Sequence, residues 1–194
     1  MKFWPVPESF SKKLPEKGAP GSFWENREDR HHCGVDIYAP KGSKVCAVEA
    51  GEVIDIGQFT SPETIPYWNV TYYILIQLRN GWVSKYAELG QVLVKAGQKV
   101  KAGQVIALVG SVLNPGKITE ESPPYIQRLR ENGNQSMLHF ELYQENPTSS
   151  ENYLGGNFFT ENKPDSLLDA ASYLEDTSSN LQGLIISGTK GEKP

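Results

Sequence analysis

The sequence predicts an all-β protein, a compact antiparallel β-sandwich interrupted by one short inserted helix. Two observations carry that expectation. Period-two stretches rich in β-branched and aromatic residues recur at 45–56, 70–78, 82–89, 104–109 and 137–143, and such alternation is what a strand with one buried face requires. Between them Gly, Pro and Asn punctuate the chain at the short intervals that tight turns need. The inserted helix is Tyr125-Ile126-Gln127-Arg128-Leu129-Arg130-Glu131, which has helical spacing before Asn132-Gly133 stops it. A chain of 194 residues with 38% hydrophobic content is long enough for one full core.

Taken in order, residues 1–27 are rich in Pro, Gly and Lys and read as an extended arm that packs Phe3, Trp4, Phe23 and Trp24 onto the domain. From Cys33 to Ile56, short β-rich runs are broken by Gly34, Pro40-Lys41-Gly42, Gly51 and Gly57. Phe59 to Trp68, with Pro62 and Pro66, is expected to be a surface loop. Val70 to Leu78 is a strong strand that ends in the hairpin signal Arg79-Asn80-Gly81, and Trp82 to Leu89 returns beside it. The segment 111–135 reads as an insertion next to the groove, and Asn146–Ser150 and Gly155-Gly156-Asn157 as loops. The β-domain is thus expected to span 28–175, followed by a flexible tail over 176–194.

Composition narrows the function. A net charge of -4 argues against a nucleic-acid surface, which would need a basic patch. Two cysteines, Cys33 and Cys46, make no disulfide framework. Cys33 should point away from its neighbour His32 in a strand. Residues 1–7 contain no apolar stretch of signal-peptide or membrane-span length. The expectation is therefore a cytoplasmic protein, or one exported by a route that these residues do not reveal.

The chemistry points to His32, Asp36 and His139. A histidine and a carboxylate four positions apart with Gly34 between them read as half of a metal site, and the strand-like run Met137-Leu138-His139-Phe140-Glu141 supplies the other half. Imidazole nitrogen and carboxylate oxygen are the ligands that a catalytic zinc prefers, three of them leaving one position open. The spacing alone is weak, because three histidines in a chain of this length could be ordinary surface or core residues.

The flanking text is more specific. Arg30-x-His32-x-Gly34-x-Asp36-Ile37, Ala39-Pro40-x-Gly42-x-x-Val45-x-Ala47-x-x-x-Gly51-x-Val53, Gly97-Gln98-x-Val100-x-x-Gly103-Gln104-x-Ile106-Ala107-x-Val109-Gly110 and Leu138-His139-Phe140-Glu141 follow one another in this order. Together they resemble the lysostaphin-type zinc metallopeptidases, peptidoglycan endopeptidases built on a duplicated hybrid motif, over roughly 28–175. The resemblance implies one Zn²⁺ on His32, Asp36 and His139, and a peptidoglycan or other peptide as partner. Residues 92–107 also resemble the turn-and-strand unit of lipoyl and biotinyl carrier domains, but the Asp-Lys-Ala or Met-Lys-Met context of a carrier lysine is missing.

Two positions depart from the resembled family, which carries further histidines in a Tyr-x-His-Leu segment and as the first histidine of His-x-His-Phe-Glu. Here they are Glu88 and Met137, and the spare histidine, His31, should face the other side of its strand. Alternation puts Tyr86 and Glu88 on one face of their strand with Ala87 on the other, so Glu88 is expected to face the metal, a possible general base worth roughly 10²–10⁴ in rate. Met137 donates no hydrogen bond; if the histidine it replaces held an oxyanion, the loss would be about 10²–10³ in turnover. The expected function is a zinc peptidase with weak or altered activity on cross-link peptides. The alternative is a non-catalytic cell-wall or peptide-binding module on the same fold.

Overall fold

The computed structural model describes residues 2–131, 136–147 and 149–175, so the expected tail over 176–194 lies outside the described residues. Its strands are β1 (His31–His32), β2 (Val35–Tyr38), β3 (Lys44–Cys46), β4 (Gly51–Thr60), β5 (Thr71–Leu78), β6 (Val83–Val92), β7 (Lys99–Val100), β8 (Val105–Val109), β9 (Met137–Tyr143), β10 (Tyr153–Leu154), β11 (Asn157–Phe158) and β12 (Leu167–Leu168). A 3-10 turn at Pro115–Lys117 and helix α1 at Pro124–Glu131 interrupt them. Every strand pairing is antiparallel, and among the described residues the predicted all-β sandwich with one short inserted helix is what the chain forms, with a further helical stretch over 170–175.

The large sheet is organised around β6, which changes partner along its length. Val83–Ala87 pair with β9, and Leu89–Val92 pair with β8. The residue between these two halves, Glu88, has φ +62°. A single left-handed residue in a strand bends it and re-aims its side chain, which is how a sheet turns a corner from one layer to the other. The amide of Gly110 caps this corner by donating to the Glu88 carbonyl at 2.8 Å.

Strand alternation then separates two faces. Val35 and Ile37 of β2, Tyr86 of β6 and Leu138, Phe140 and Leu142 of β9 point into the main core, where the Val48 amide donates to the Tyr86 hydroxyl at 2.8 Å. The opposite face carries Asp36, Lys85, His139 and Glu141, and it is covered by the small sheet β1-β11-β10. The arm belongs to this packing: Trp4 and Val6 are buried in the main core, the Phe3 amide donates to Val48 and the Cys46 amide donates to Pro5, both at 2.8 Å.

Three segments differ from expectation. The run 45–56 is not one strand, because the chain reverses after Cys46 and β4 starts at Gly51. β4 then continues through Phe59, where a loop was expected, because pairing with β5 persists to Thr60 opposite Thr71 through two register shifts. The Thr60 and Thr71 hydroxyls close that end with a hydrogen bond of 2.6 Å. Gly155-Gly156, also read as loop, is the two-residue turn of the β10–β11 hairpin, with φ +53° and +79°. Two successive positive-φ residues are what such a turn requires.

Candidate metal centre and adjoining cleft

The register of three strands builds the site. His139 on the middle strand β9 has Asp36 opposite it on β2 and Ala87 opposite it on β6, so all three share one face. His32 comes from β1, held between the arm, where its amide donates to the Glu25 carbonyl, and Asn157 of β11. Gly34 permits the close crossing from β1 to β2: a Cβ there would lie 2.3 Å from the Phe140 carbonyl oxygen.

The three donor atoms converge. His32 Nε2 lies 2.9 Å from His139 Nδ1 and 3.2 Å from Asp36 Oδ1, and His139 Nδ1 lies 3.0 Å from that same oxygen. The far nitrogen of each ring is engaged: His32 Nδ1 donates to the Ser22 carbonyl at 2.8 Å, and His139 Nε2 donates to Glu141 Oε1 at 2.8 Å. With those protons fixed, two ring lone pairs and a carboxylate oxygen point at one another in a buried space. That arrangement is repulsive unless a proton or a metal ion sits among them. Tetrahedral zinc bonds of about 2.0–2.1 Å imply ligand separations of roughly 3.3 Å, close to the spacings present. The donor set fits a zinc ion, and the second-partner hydrogen bonds are those that orient metal-binding histidines.

Electrostatics agree. Burial disfavours a charged His139, yet hydrogen bonds to Asp36 and Glu141 lift it to about 9. Burial also opposes the Asp36 charge, but His32 and His139 together hold that carboxyl well below its ordinary range. His32 is pushed down, chiefly by burial. The unloaded site is therefore built to hold one positive charge.

Behind His139 lies a support that sequence reasoning missed. Glu141 is fully buried, accepts hydrogen bonds from Tyr143 and from Tyr153 (2.6 Å), and lies 3.4 Å from Lys85 Nζ. Lys85 is itself buried over the rings of Tyr153 and Phe59, at 4.2 Å and 5.0 Å from their centroids. Phe59 stacks on the His139 ring at 5.9 Å. The available signals were the i, i+2 spacing of Glu141 from His139 and a lysine between Ser84 and Tyr86 in the middle of a predicted strand.

Glu88 and Met137, singled out from the sequence, both line a cleft of about 200 Å³ that also contains Asp36 and Tyr38. The alternation argument that placed Tyr86 and Glu88 on one face does not hold. Tyr86 lies in the main core, and it is the left-handed backbone at Glu88 that turns the carboxylate into the cleft. Glu88 Oε2 is buried without a hydrogen-bond partner among the described residues. Burial, and next the charge of Asp36, push its carboxyl up to about 8 against the pull of His139 and Arg27. Val112, Leu113 and Ile126 of the 111–135 insertion form the apolar wall of the cleft with Trp68. Cys33 is buried in the second apolar cluster. His31 stands apart from the site, stacked on Trp24 at 4.6 Å with its Nδ1 donating to the Thr160 carbonyl at 3.0 Å.

One glycine tests the build. A Cβ on Gly156, already at φ +79°, would lie 2.7 Å from His139 Cε1 and Nε2. Gly156→Ala is expected to cost about 1–3 kcal/mol from the forbidden backbone and the clash and to weaken zinc binding by displacing the His139 ring. Gly81→Ala, at φ +89° with nothing within 4 Å, should lose stability only. Melting temperature and zinc affinity, measured on both variants, check this.

Comparison with known proteins places this geometry. The chain is 38% identical over 78 residues to the uncharacterized lipoprotein YgeR of Escherichia coli, covering 40% of this chain and 28% of that protein. It is 35% identical over 88 residues to the peptidoglycan DD-endopeptidase ShyA of Vibrio cholerae, covering 45% of this chain and 18% of that protein. The chain thus spans less than a third of the length of either relative. The solution structure of lysostaphin shares the fold at 18% identity, with a TM-score of 0.50 over 91% of this chain and 51% of that one. Peptidase family M23 matches residues 30–151. That match takes in His32, Asp36, Glu88, Met137 and His139 and covers more than half of the sequence, so the chain belongs to Peptidase family M23.

Proposed function

We propose that this chain is a zinc-dependent endopeptidase domain that cuts peptide cross-links of peptidoglycan, with His32, Asp36 and His139 as ligands and Glu88 as general base. The observation that carries the reading is the convergence of three acceptor atoms, one of them on Asp36, which lines a cleft together with the Glu88 carboxylate, whose Oε2 is buried and unpartnered among the described residues. Its kinship with ShyA, a peptidoglycan DD-endopeptidase, supports the substrate class.

When bound, zinc supplies Lewis acidity, which polarises a carbonyl and makes water easier to deprotonate. The residues of the chain do the rest. Glu88 accepts the proton of the attacking water and returns it to the leaving amine, and its carboxylate, which lines the cleft with no hydrogen-bond partner among the described residues, is free for both transfers. Glu141, braced by Lys85 and two tyrosines, holds the His139 ring in one orientation. Met137 lines the same cleft and donates no hydrogen bond. Turnover is accordingly lower than that of a site with a histidine there.

Met137 also favours a second reading, a zinc-loaded module that grips cross-link peptides without cutting them. Metal analysis of the purified chain followed by digestion of cross-linked muropeptides separates the two. The endopeptidase reading expects about one zinc per chain and slow release of uncross-linked products. Retention of muropeptides without cleavage establishes the binding module, and a chain that takes up no zinc near neutral pH overturns the metal site itself.

A further inference from the structure

We propose that the Tyr38 hydroxyl is a catalytic hydrogen-bond donor that receives the carbonyl oxygen of the scissile peptide as negative charge develops on it. The proposal rests on the endopeptidase reading and adds the residue that supplies what Met137 cannot.

The placement follows from β2. Two-residue alternation puts Tyr38 on the same face as Asp36, and the β2–β9 register sets its Cα opposite that of Met137. Phenol and thioether therefore share one patch of the cleft wall, which Glu88 also lines. Tyr38 lies close enough to Asp36 and Glu88 to feel the charge of both.

Its backbone is held on both sides. The Phe10 amide donates to the Tyr38 carbonyl at 3.0 Å, the Ala39 amide donates to Ser136 at 3.3 Å, and the Ser136 hydroxyl donates to Ala39 at 2.7 Å. A donor fixed in this way needs no reorganisation when charge appears.

The neighbouring tyrosines show why Tyr38 differs. Tyr143 and Tyr153 donate to Glu141, Tyr73 donates to Asp55 at 2.6 Å, and Tyr86 accepts from Val48. The Tyr38 hydroxyl is hydrogen-bonded to no other described residue. Of the two arginines on the cleft wall, Arg27 is tied to Glu25 and to Asn157 at 3.0 Å and 3.1 Å, and Arg128 belongs to the inserted helix α1, not to the strands that carry Asp36 and Met137.

The chemistry balances without a co-reactant. The water oxygen bonds to the carbonyl carbon while the carbonyl π pair moves onto its oxygen, which accepts the Tyr38 hydrogen bond with no proton transfer. The water proton goes to Glu88. The C–N bond then breaks with its electron pair going to nitrogen, which takes the proton from Glu88, leaving a carboxyl and an amine.

Tyr38→Phe keeps the ring and removes only the hydroxyl. The probe is a phosphinate isostere of the D-alanyl cross-link, whose tetrahedral PO₂⁻ group stands in for the oxyanion, and its affinity is read without turnover. Tyr38→Phe is expected to lower kcat on muropeptides and affinity for the phosphinate by about 10- to 100-fold each, with KM and zinc stoichiometry unchanged. Unchanged phosphinate affinity in the variant, or a zinc-loaded wild type that does not bind the phosphinate, overturns the proposal. A wild type that binds the phosphinate through Tyr38 yet cuts no muropeptide overturns the endopeptidase reading and supports the donor assignment.

Discussion

Replacing His139 by Ala should abolish zinc binding, with affinity falling by more than the roughly 10- to 100-fold that loss of a mere supporting partner costs. The ring supplies one of three converging donor atoms and lies between Asp36 and Glu141, 3.0 Å and 2.8 Å away. Without it, Glu141 and Lys85 stay buried behind a site with two donors left, so the melting temperature should fall as well. The pH dependence follows from the same hydrogen bonds. Since His139 keeps its proton up to about 9 in the unloaded chain, zinc must displace that proton at any lower pH. The His139 proton alone should contribute about a tenfold rise in apparent affinity per pH unit on approaching that value, flattening above it. Calorimetric titration of zinc across pH 6 to about 9 reads both effects. An affinity that is flat with pH, or that survives in His139→Ala, would remove His139 from the ligand set.

The parts of this protein that were legible in its sequence are those set by short periods. Strand alternation at 70–78 and 137–143 announced β5 and β9, and the apolar spacing from Tyr125 announced α1. That His32, Asp36 and His139 come together was legible because each has flanking text of its own. What stayed hidden depends on contacts between distant segments. The support of Glu141 by Lys85 arises because β6 and β9 pair in one register, Lys85 opposite Glu141, and no local pattern encodes that register. The role of Ser22 as acceptor for His32 and of Gly156 against the His139 ring depends on how the arm and the β10–β11 hairpin fold back over the site. The direction of Glu88 was inferred from regular alternation, but alternation fails where β6 turns its corner. A non-glycine residue at φ +62° inside a strand is a conformation that the sequence Ala87-Glu88-Leu89-Gly90 does not advertise. Held in place by the surrounding sheet, such backbone strain is commonest where a side chain must be aimed.

Glu88→Gln is expected to lower muropeptide hydrolysis by about 10²–10⁴ while zinc stays bound. Gln preserves size and tolerates the cleft, but it cannot take a proton from water. A proton count gives a second readout that needs no turnover. In the unloaded chain Glu88 sits at about 8, raised by burial and by Asp36, so at pH 7 it is mostly protonated. A dication beside it would pull that carboxyl down and expel the proton. Zinc uptake near neutral pH should therefore release about two protons from the wild type, one from His139 and one from Glu88, and about one from Glu88→Gln. Equal proton release would place Glu88 beyond the reach of the metal's charge, and equal hydrolysis would make it a bystander on the cleft wall. The reverse substitution bears on the same point, since histidine is among the residues that tolerate positive φ. Glu88→His combined with Met137→His restores a donor and a neutral base at the two changed positions, and hydrolysis should rise. If the doubly substituted chain holds zinc yet stays inert on every cross-linked muropeptide, the residues around the metal are not what limits cleavage, and the cleft is better read as a grip for peptide.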